Sequence, residues 1–366
     1  MEKAYLVLSD GTVFEGTPFG ARVGAVGELV FTTGVVGYLE TLTDAAYAGQ
    51  IVVQTFPQIG NYGVVPEADL AVKPSLAGYV CRELCDMPSN FRCEGTLEDY
   101  LLQHGIPCLT DVDTRAITRR LRDKGVMNAA ILTEKPADVA AAAAELAAMV
   151  ITAEPETGVE DIVPAEKPGR YSVVLWDMGA KADTVAQLEK RGCTVTLVPA
   201  NVTAEAIAAL NPDGVVITNG AEIPADCDDV AAEIASLLNN KHLPVMGIGL
   251  GHQLIAMSQG AEIVKLHAGH RGGNQPIEDV KTGTCGITSQ NHGYAVDKDT
   301  LPENASLRYI NRNDGTCEGV DYLDMPVFSV QFQPAMTGGI HNGAKIGTHT
   351  LFDRFTALMG GNKECR

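Results

Sequence analysis

A chain of 366 residues exceeds the usual reach of one hydrophobic core, so two domains are expected. Hydrophobic residues at 45%, charged residues at 20% and a mean hydropathy of +0.04 exclude a disordered or membrane-embedded chain. A formal charge of −19 and no visible clustering of Lys and Arg exclude a nucleic-acid partner, because phosphate binding relies on such clusters. Short apolar runs at Tyr5 to Leu8, Glu28 to Thr33 and Gln50 to Thr55, parted by turns such as Ser9-Asp10-Gly11, predict strands. Helical spacing predicts a helix over Leu97 to Gly105 and another over Thr114 to Lys124, where Ile117 and Leu121 share a face and Gly125 closes the run. An Ala-rich surface helix is expected at 136–150.

Residues 152–170, with Pro155, Pro164 and Pro168 among acidic residues, have the composition of an exposed linker. A first domain over 1–151 and a second over 171–366 follow. In the second, strands are predicted at Ser172 to Trp176, Thr194 to Pro199 and Gly214 to Thr218. Helices alternate with them at Asp183 to Arg191, Thr203 to Leu210 and Cys227 to Asn239. That alternation is βαβ repetition, which calls for a mostly parallel sheet with helices on both faces.

Nine cysteines at irregular spacings give no disulfide framework. Cys81 and Cys85 have no second Cys or His pair near them, so free thiols are expected and no metal site. Asp10 and Glu15 interrupt any apolar leader and no stretch reaches the length of a membrane span, which makes a reducing cytoplasm the expected compartment.

The segment Leu243 to Leu254, with sequence LPVMGIGLGHQL, reads as a buried strand, a glycine-flanked turn and the start of a helix. By itself this is a tight strand-to-helix turn, a phosphate cradle or a nucleophile elbow, in which a reactive side chain sits on a strained turn beside helix N-terminal amides. The run G-I-G-L-G-H-Q resembles the G-I-C-L-G-H-Q signature of class I glutamine amidotransferases, with Gly249 where the nucleophilic cysteine belongs. G-H-R-G-G-N-Q-P at Gly269 to Pro276 and Q-N-H-G at Gln290 to Gly293 resemble blocks of the carbamoyl phosphate synthetase small-subunit family. So do G-E-L-V-F-T-T-G from Gly27, G-Y-L-E-T-L-T-D from Gly37, P-Q-I-G-N-Y-G from Pro57, S-N-F-R from Ser89 and D-V-D-T-R from Asp111.

That resemblance covers nearly the whole chain. It implies an α/β protein: a small swivelling β/β/α-type N-domain followed by a class I amidotransferase C-domain. It further implies a role in pyrimidine or arginine precursor synthesis beside a large subunit that uses ATP, with no cofactor on this chain. The departures from the family pattern fall on the chemistry. Where the family has Q-x-H-P-E, this chain has Gln331-Phe332-Gln333-Pro334-Ala335, so Gln333 replaces the general base and Ala335 its orienting acid. Glutamine hydrolysis needs a thiolate, an imidazole to activate it and a carboxylate to orient the imidazole. With Gly249, Gln333 and Ala335 at those positions, no intact catalytic residue is expected.

The family's glutamine pocket is changed in parallel, with Ala46 for a serine and Gly220-Ala221-Glu222 for a G-P-G turn. Leu250, Gln253, Asn291, Gly293 and Tyr294 match the family's glutamine-contacting positions, either as remnants of a pocket or as packing residues. His252 and His292 read as turn-stabilising residues. Three functions are compatible with this pattern: a structural or regulatory subunit of an ammonia-using synthetase, a module that binds a glutamine-like metabolite without hydrolysing it, and a glutaminase that works through other residues such as Cys285 or Cys317.

Overall fold

In a computed structural model, residues 2–65, 73–151, 158–221, 227–334 and 348–364 are described. Two compact units are present: Met1–Glu156 with His267–Gly272, and Thr157–Leu266 with Gly273–Arg366. No described helix is long and apolar enough to cross a membrane.

The first unit contains strands β1 (Ala4–Leu8), β2 (Val13–Gly20), β3 (Ala25–Thr32), β4 (Gln50–Gln54), β5 (Gln58–Ile59), β6 (Gly78–Val80), β7 (Glu83–Leu84), β8 (Pro107–Thr110) and β9 (Met127–Leu132). Its helices are α1 (Tyr38–Leu42), α2 (Leu97–Gln103), α3 (Thr114–Lys124) and α4 (Val139–Ala148). Seven strands close into a barrel in the order β1-β2-β8-β6-β4-β3-β9, and β5 pairs with β7 in a small separate ribbon. Successive side chains of a strand point to opposite faces. Here Leu29 and Val30, Ile51 and Val52, and Leu109 and Cys108 enter two different buried clusters, one shared with α3 and the other with α1 and α2. Both faces are therefore covered. The α3 boundaries have local causes: the Asp113 carboxylate accepts from the Ala116 amide at 2.9 Å, and Gly125 adopts φ 89°.

The second unit contains β10 (Tyr171–Asp177), β11 (Cys193–Pro199), β12 (Gly214–Ile217), β13 (Val245–Ile248), β14 (Ile263–Asp279), β15 (Thr284–Val296), β16 (Ala305–Asn311), β17 (Cys317–Tyr322) and β18 (Val327–Val330). Helices α5 (Ala182–Glu189), α6 (Ala204–Ala209), α7 (Asp228–Leu238), α8 (Leu250–Ser258) and α9 (Thr348–Glu364) accompany them. Together the strands form a nine-stranded sheet, β11-β10-β12-β13-β18-β17-β16-β14-β15. The pairs from β11 to β18 are parallel, and β17 and β16 then continue it antiparallel. Val174, Trp176, Val215 and Val245 pack on one face with residues of α6, α7 and α8. On the other face Val173, Leu175, Val216 and Met246 pack with Leu188 of α5 and Phe352, Phe355 and Met359 of α9. A parallel sheet covered on both faces reads as continuous apolar runs, as these strands do. Within the stretch read as an exposed linker, Val163 exchanges two backbone hydrogen bonds with Leu197, at 2.9 and 3.0 Å.

Candidate functional site

Strand β13 is wholly buried and delivers the chain to Gly249, which stands at φ 57°, ψ −113° and is followed directly by α8. An L-residue is strained in that conformation, whereas glycine adopts it freely. The turn is pinned from both sides. Gly249 donates to the Val330 carbonyl at 2.9 Å, its own carbonyl accepts from the His252 amide at 3.0 Å, and Gly251 donates to the Thr218 carbonyl at 3.1 Å. Gly251 is required by contact rather than by φ, since a Cβ there would fall 2.3 Å from the Ile217 carbonyl oxygen. This is the backbone of an elbow with an apolar strand behind it.

At the tip of the elbow, the place of a side chain on residue 249 is taken. A Cβ built on Gly249 would lie 2.0 Å from Oδ1 of Asn219, which is 4% exposed. That oxygen accepts from the Leu250 amide at 3.0 Å. In a nucleophile elbow the amide following the tip residue is an oxyanion donor. Here the Asn219 side chain holds that donor and caps the first turn of α8. Asn219 is brought there by β12 and the turn after it, where Thr218 Oγ1 accepts from Met178 at 2.9 Å. Gly220 is constrained as well, because a Cβ on it would fall 2.2 Å from the Met178 carbonyl oxygen.

Gln333 is buried beside the sheet, its backbone N–H donating to the Ser289 carbonyl at 3.0 Å. Ala335 and Glu222 lie outside the described residues. Gln253, on α8, donates from Nε2 to the Tyr294 carbonyl and to Oε1 of Gln331, both at 3.1 Å. Those contacts bring Gln253, Tyr294 and the Gln331 end of the late motif together. Gly293 is buried in β15, and Leu250 is 3% exposed. Asn291 is also buried, and both of its side-chain amide atoms lack a hydrogen-bond partner among the described residues. Ala46 belongs to the first unit, buried in the turn Ala45–Tyr47, where its amide donates to Asp44 at 3.1 Å.

The histidines make side-chain contacts beyond the bond from the His252 amide that helps pin the elbow. His252 is on α8, fully buried, with Nδ1 2.7 Å from the Ser329 hydroxyl of β18, and burial pushes its imidazole down to about 3. It is a neutral ring and a poor base. His292 lies within strand β15, with Nδ1 2.7 Å from the Tyr294 carbonyl and Nε2 3.1 Å from Oε1 of Gln290. Gln290 donates from Nε2 to the buried Glu318 carboxylate at 2.9 Å, and Asn311 donates to the other carboxylate oxygen at 3.0 Å. Those bonds fix the Gln290 amide, so both His292 nitrogens face acceptors. The His292 Nε2 also stands 3.9 Å from the Glu318 carboxylate.

The two spare cysteines lie away from the elbow tip, on β15 and β17. Cys317 is buried and burial pushes its thiol up to about 12, while Cys285 is exposed on β15. Asn219, Ser329 and Glu318 carry much of this arrangement without having been marked as site residues by the sequence. Asn219 stood next to the altered G-P-G turn, which was the one available signal.

Comparison with known proteins gives two family matches. Residues 6–131 match the family described as carbamoyl-phosphate synthase small chain, CPSase domain, and residues 174–355 match glutamine amidotransferase class-I. A carbamoyl phosphate synthase small chain of Fusobacterium nucleatum subsp. nucleatum is 43% identical over 364 residues, which cover 99% of each chain. One from Symbiobacterium thermophilum is 43% identical over 359 residues, covering 96% of this chain and 97% of its own. A pyrimidine-specific carbamoyl phosphate synthase small chain of Lactiplantibacillus plantarum is 43% identical over 365 residues, covering 99% of this chain and 97% of its own.

Proposed function

Because this chain belongs to the family of carbamoyl phosphate synthase small chains, we propose that it is the amidotransferase-type subunit of a synthetase whose nitrogen comes from free ammonia. In this reading it docks on a large subunit that carries the ATP chemistry, and it does not itself hydrolyse glutamine. The product supplies pyrimidine or arginine precursors; the relative named pyrimidine-specific favours the former.

The observation that carries the reading is the filled elbow. Attack on the glutamine carboxamide needs a thiolate at the tip, and the tip is Gly249 with Asn219 Oδ1 in the space beyond its Cα. The tetrahedral oxyanion needs the Leu250 amide, which is already bonded to Asn219. Proton transfer to the leaving ammonia needs a titratable base, and the Gln333 amide does not titrate in the working range. Nucleophile, oxyanion donor and base are thus unavailable together, as expected when members of one catalytic unit are released from selection at once. Glutaminase activity through other residues lacks support, since Cys317 is buried with a raised thiol pKa and His252 is buried with a depressed one.

A second reading, retention of a glutamine-like ligand without hydrolysis, is favoured by one observation. The Asn291 amide offers a donor and an acceptor, both buried and without partners among the described residues, and such groups are costly unless something binds them. Co-purification with the large subunit, followed by parallel synthesis assays with ammonium and with glutamine, tests the main reading. Synthesis from ammonium alone is expected, and glutamine-dependent synthesis contradicts it. Calorimetric titration of the isolated chain with glutamine tests the second.

A further inference from the structure

In this acidic chain the first unit gathers arginines of α3 with Arg82 from elsewhere in the sequence. A cleft of about 790 Å³ is lined by Arg82, Arg115, Arg119 and Arg122, with Thr55 and Thr118 among its other walls. Arg115, Arg119 and Arg122 stand at i, i+4 and i+7 of α3 and so share one face, along roughly 10 Å of helix. Like charges at that spacing oppose the helix that carries them. On the same helix Arg120 and Lys124 both pair with Asp10, whereas none of the four cleft arginines forms an ion pair among the described residues. Asp113 also lines the cleft, but its carboxylate caps the Ala116 amide at 2.9 Å. In a chain of net charge −19, a concave surface lined by four arginines against a single aspartate, the arginines having no ion pair among the described residues, is a site for carboxylates or phosphates.

Two features separate a protein partner from a small phosphate. Among the residues lining the cleft there is no aromatic ring, so a nucleobase would find no stacking platform. The chain that lines the cleft at Arg82 also leads to a loop with exposed apolar side chains. From Arg82 the chain runs through β7 alongside β5, with Glu83 donating to the Pro57 carbonyl at 2.9 Å, Cys85 to Ile59 at 2.8 Å and Ser89 to Asn61 at 2.9 Å. This strip ends at Met87, 81% exposed, and Phe91, 96% exposed. Arg, Phe and Met are residues enriched at protein interfaces.

We propose that this face of the first unit docks an acidic segment of the large ATP-using chain, its Asp and Glu carboxylates held by the four arginines and its apolar flank by Phe91 and Met87. The inference rests on the subunit reading and adds to it the surface and the partner's chemistry. Charge reversal at Arg115→Glu with Arg119→Glu tests it in the full chain. The control is Lys3→Glu with Lys167→Glu, which makes the same change in net charge at exposed sites outside the cleft.

Binding to the large chain is measured by surface plasmon resonance, with the thermal midpoint of each variant showing that it is folded. The cleft variant is expected to bind at least about 100-fold more weakly and the control within about tenfold of the parent. Raising salt from about 0.05 to 0.3 M should weaken the parent more than the cleft variant, as exposed charges are screened. Equal affinities for the cleft variant and the control overturn the proposal. So does a cleft that binds inorganic pyrophosphate while leaving partner affinity unchanged, which makes it a small-anion site. If the unmodified chain fails to bind the large chain at all, the subunit reading itself falls.

Discussion

Gly249→Cys returns the elbow to the family pattern, and in this chain it should destabilise the fold and restore no activity. The new Cβ would stand 2.0 Å from Oδ1 of Asn219 and 3.0 Å from its Cβ. Because the amide is the free end of a side chain, rotation relieves most of that overlap, but rotation breaks the 3.0 Å bond to the Leu250 amide. Loss of that cap costs about 1 kcal/mol. Holding a residue with a Cβ at φ 57°, ψ −113° adds about 1 to 3 kcal/mol. The sum is about 2 to 4 kcal/mol, read as a fall in unfolding free energy in urea titrations. Asn219→Ala alone should cost about 1 kcal/mol. The double substitution Gly249→Cys with Asn219→Ala should cost less than the two singles added, since the side chain that must move is gone. Neither variant should release ammonia from glutamine, because no base stands ready to deprotonate the thiol. A Gly249→Cys variant as stable as the parent within about 0.5 kcal/mol would refute the view that Asn219 fills the tip.

Two further outcomes follow from buried groups. His252, pushed from 6.5 down to about 3 by burial, stays neutral in the fold while the unfolded chain takes up a proton as pH falls below 6.5. Its contribution is therefore complete above 6.5 and lost progressively toward 3, at up to about 1.4 kcal/mol per pH unit. Between pH 7 and 5 a His252→Gln variant should lose about 2 kcal/mol less stability than the parent, and equal losses in urea titrations contradict the assignment. Asn291→Leu removes an amide with no partner among the described residues, so the ligand-free thermal midpoint should hold or rise. Calorimetric binding of glutamine should vanish in that variant if the parent binds it, and a drop of several degrees in the midpoint would mean the amide has a partner.

How much of this was legible depended on whether the cause was local. The extent of α3 was readable to the residue because its cap and its terminator, Asp113 and Gly125, adjoin it. The elbow was readable because a buried strand and a glycine-flanked turn leave a compact pattern. Strands β14 and β15 were not, since Lys265, His267, Arg271 and Asn274 break any apolar run or clean alternation over 263–279. Their pairing is decided by distant partners. Tertiary placement also hid Asn219, which is 30 residues before the tip it fills, and Glu318, whose burial depends on Gln290 and Asn311 from other strands. The arginine cleft needed both a helix face and Arg82 from the far side of the barrel sequence.

The most direct test of the central claim follows the nitrogen atom. The complex with the large chain is supplied with ATP, bicarbonate, unlabelled ammonium and glutamine labelled with nitrogen-15 at its amide, and the carbamoyl phosphate formed is analysed by mass. Product carrying no label above that from spontaneous deamidation is the predicted result. Label entering the product in proportion to the glutamine supplied would contradict the account.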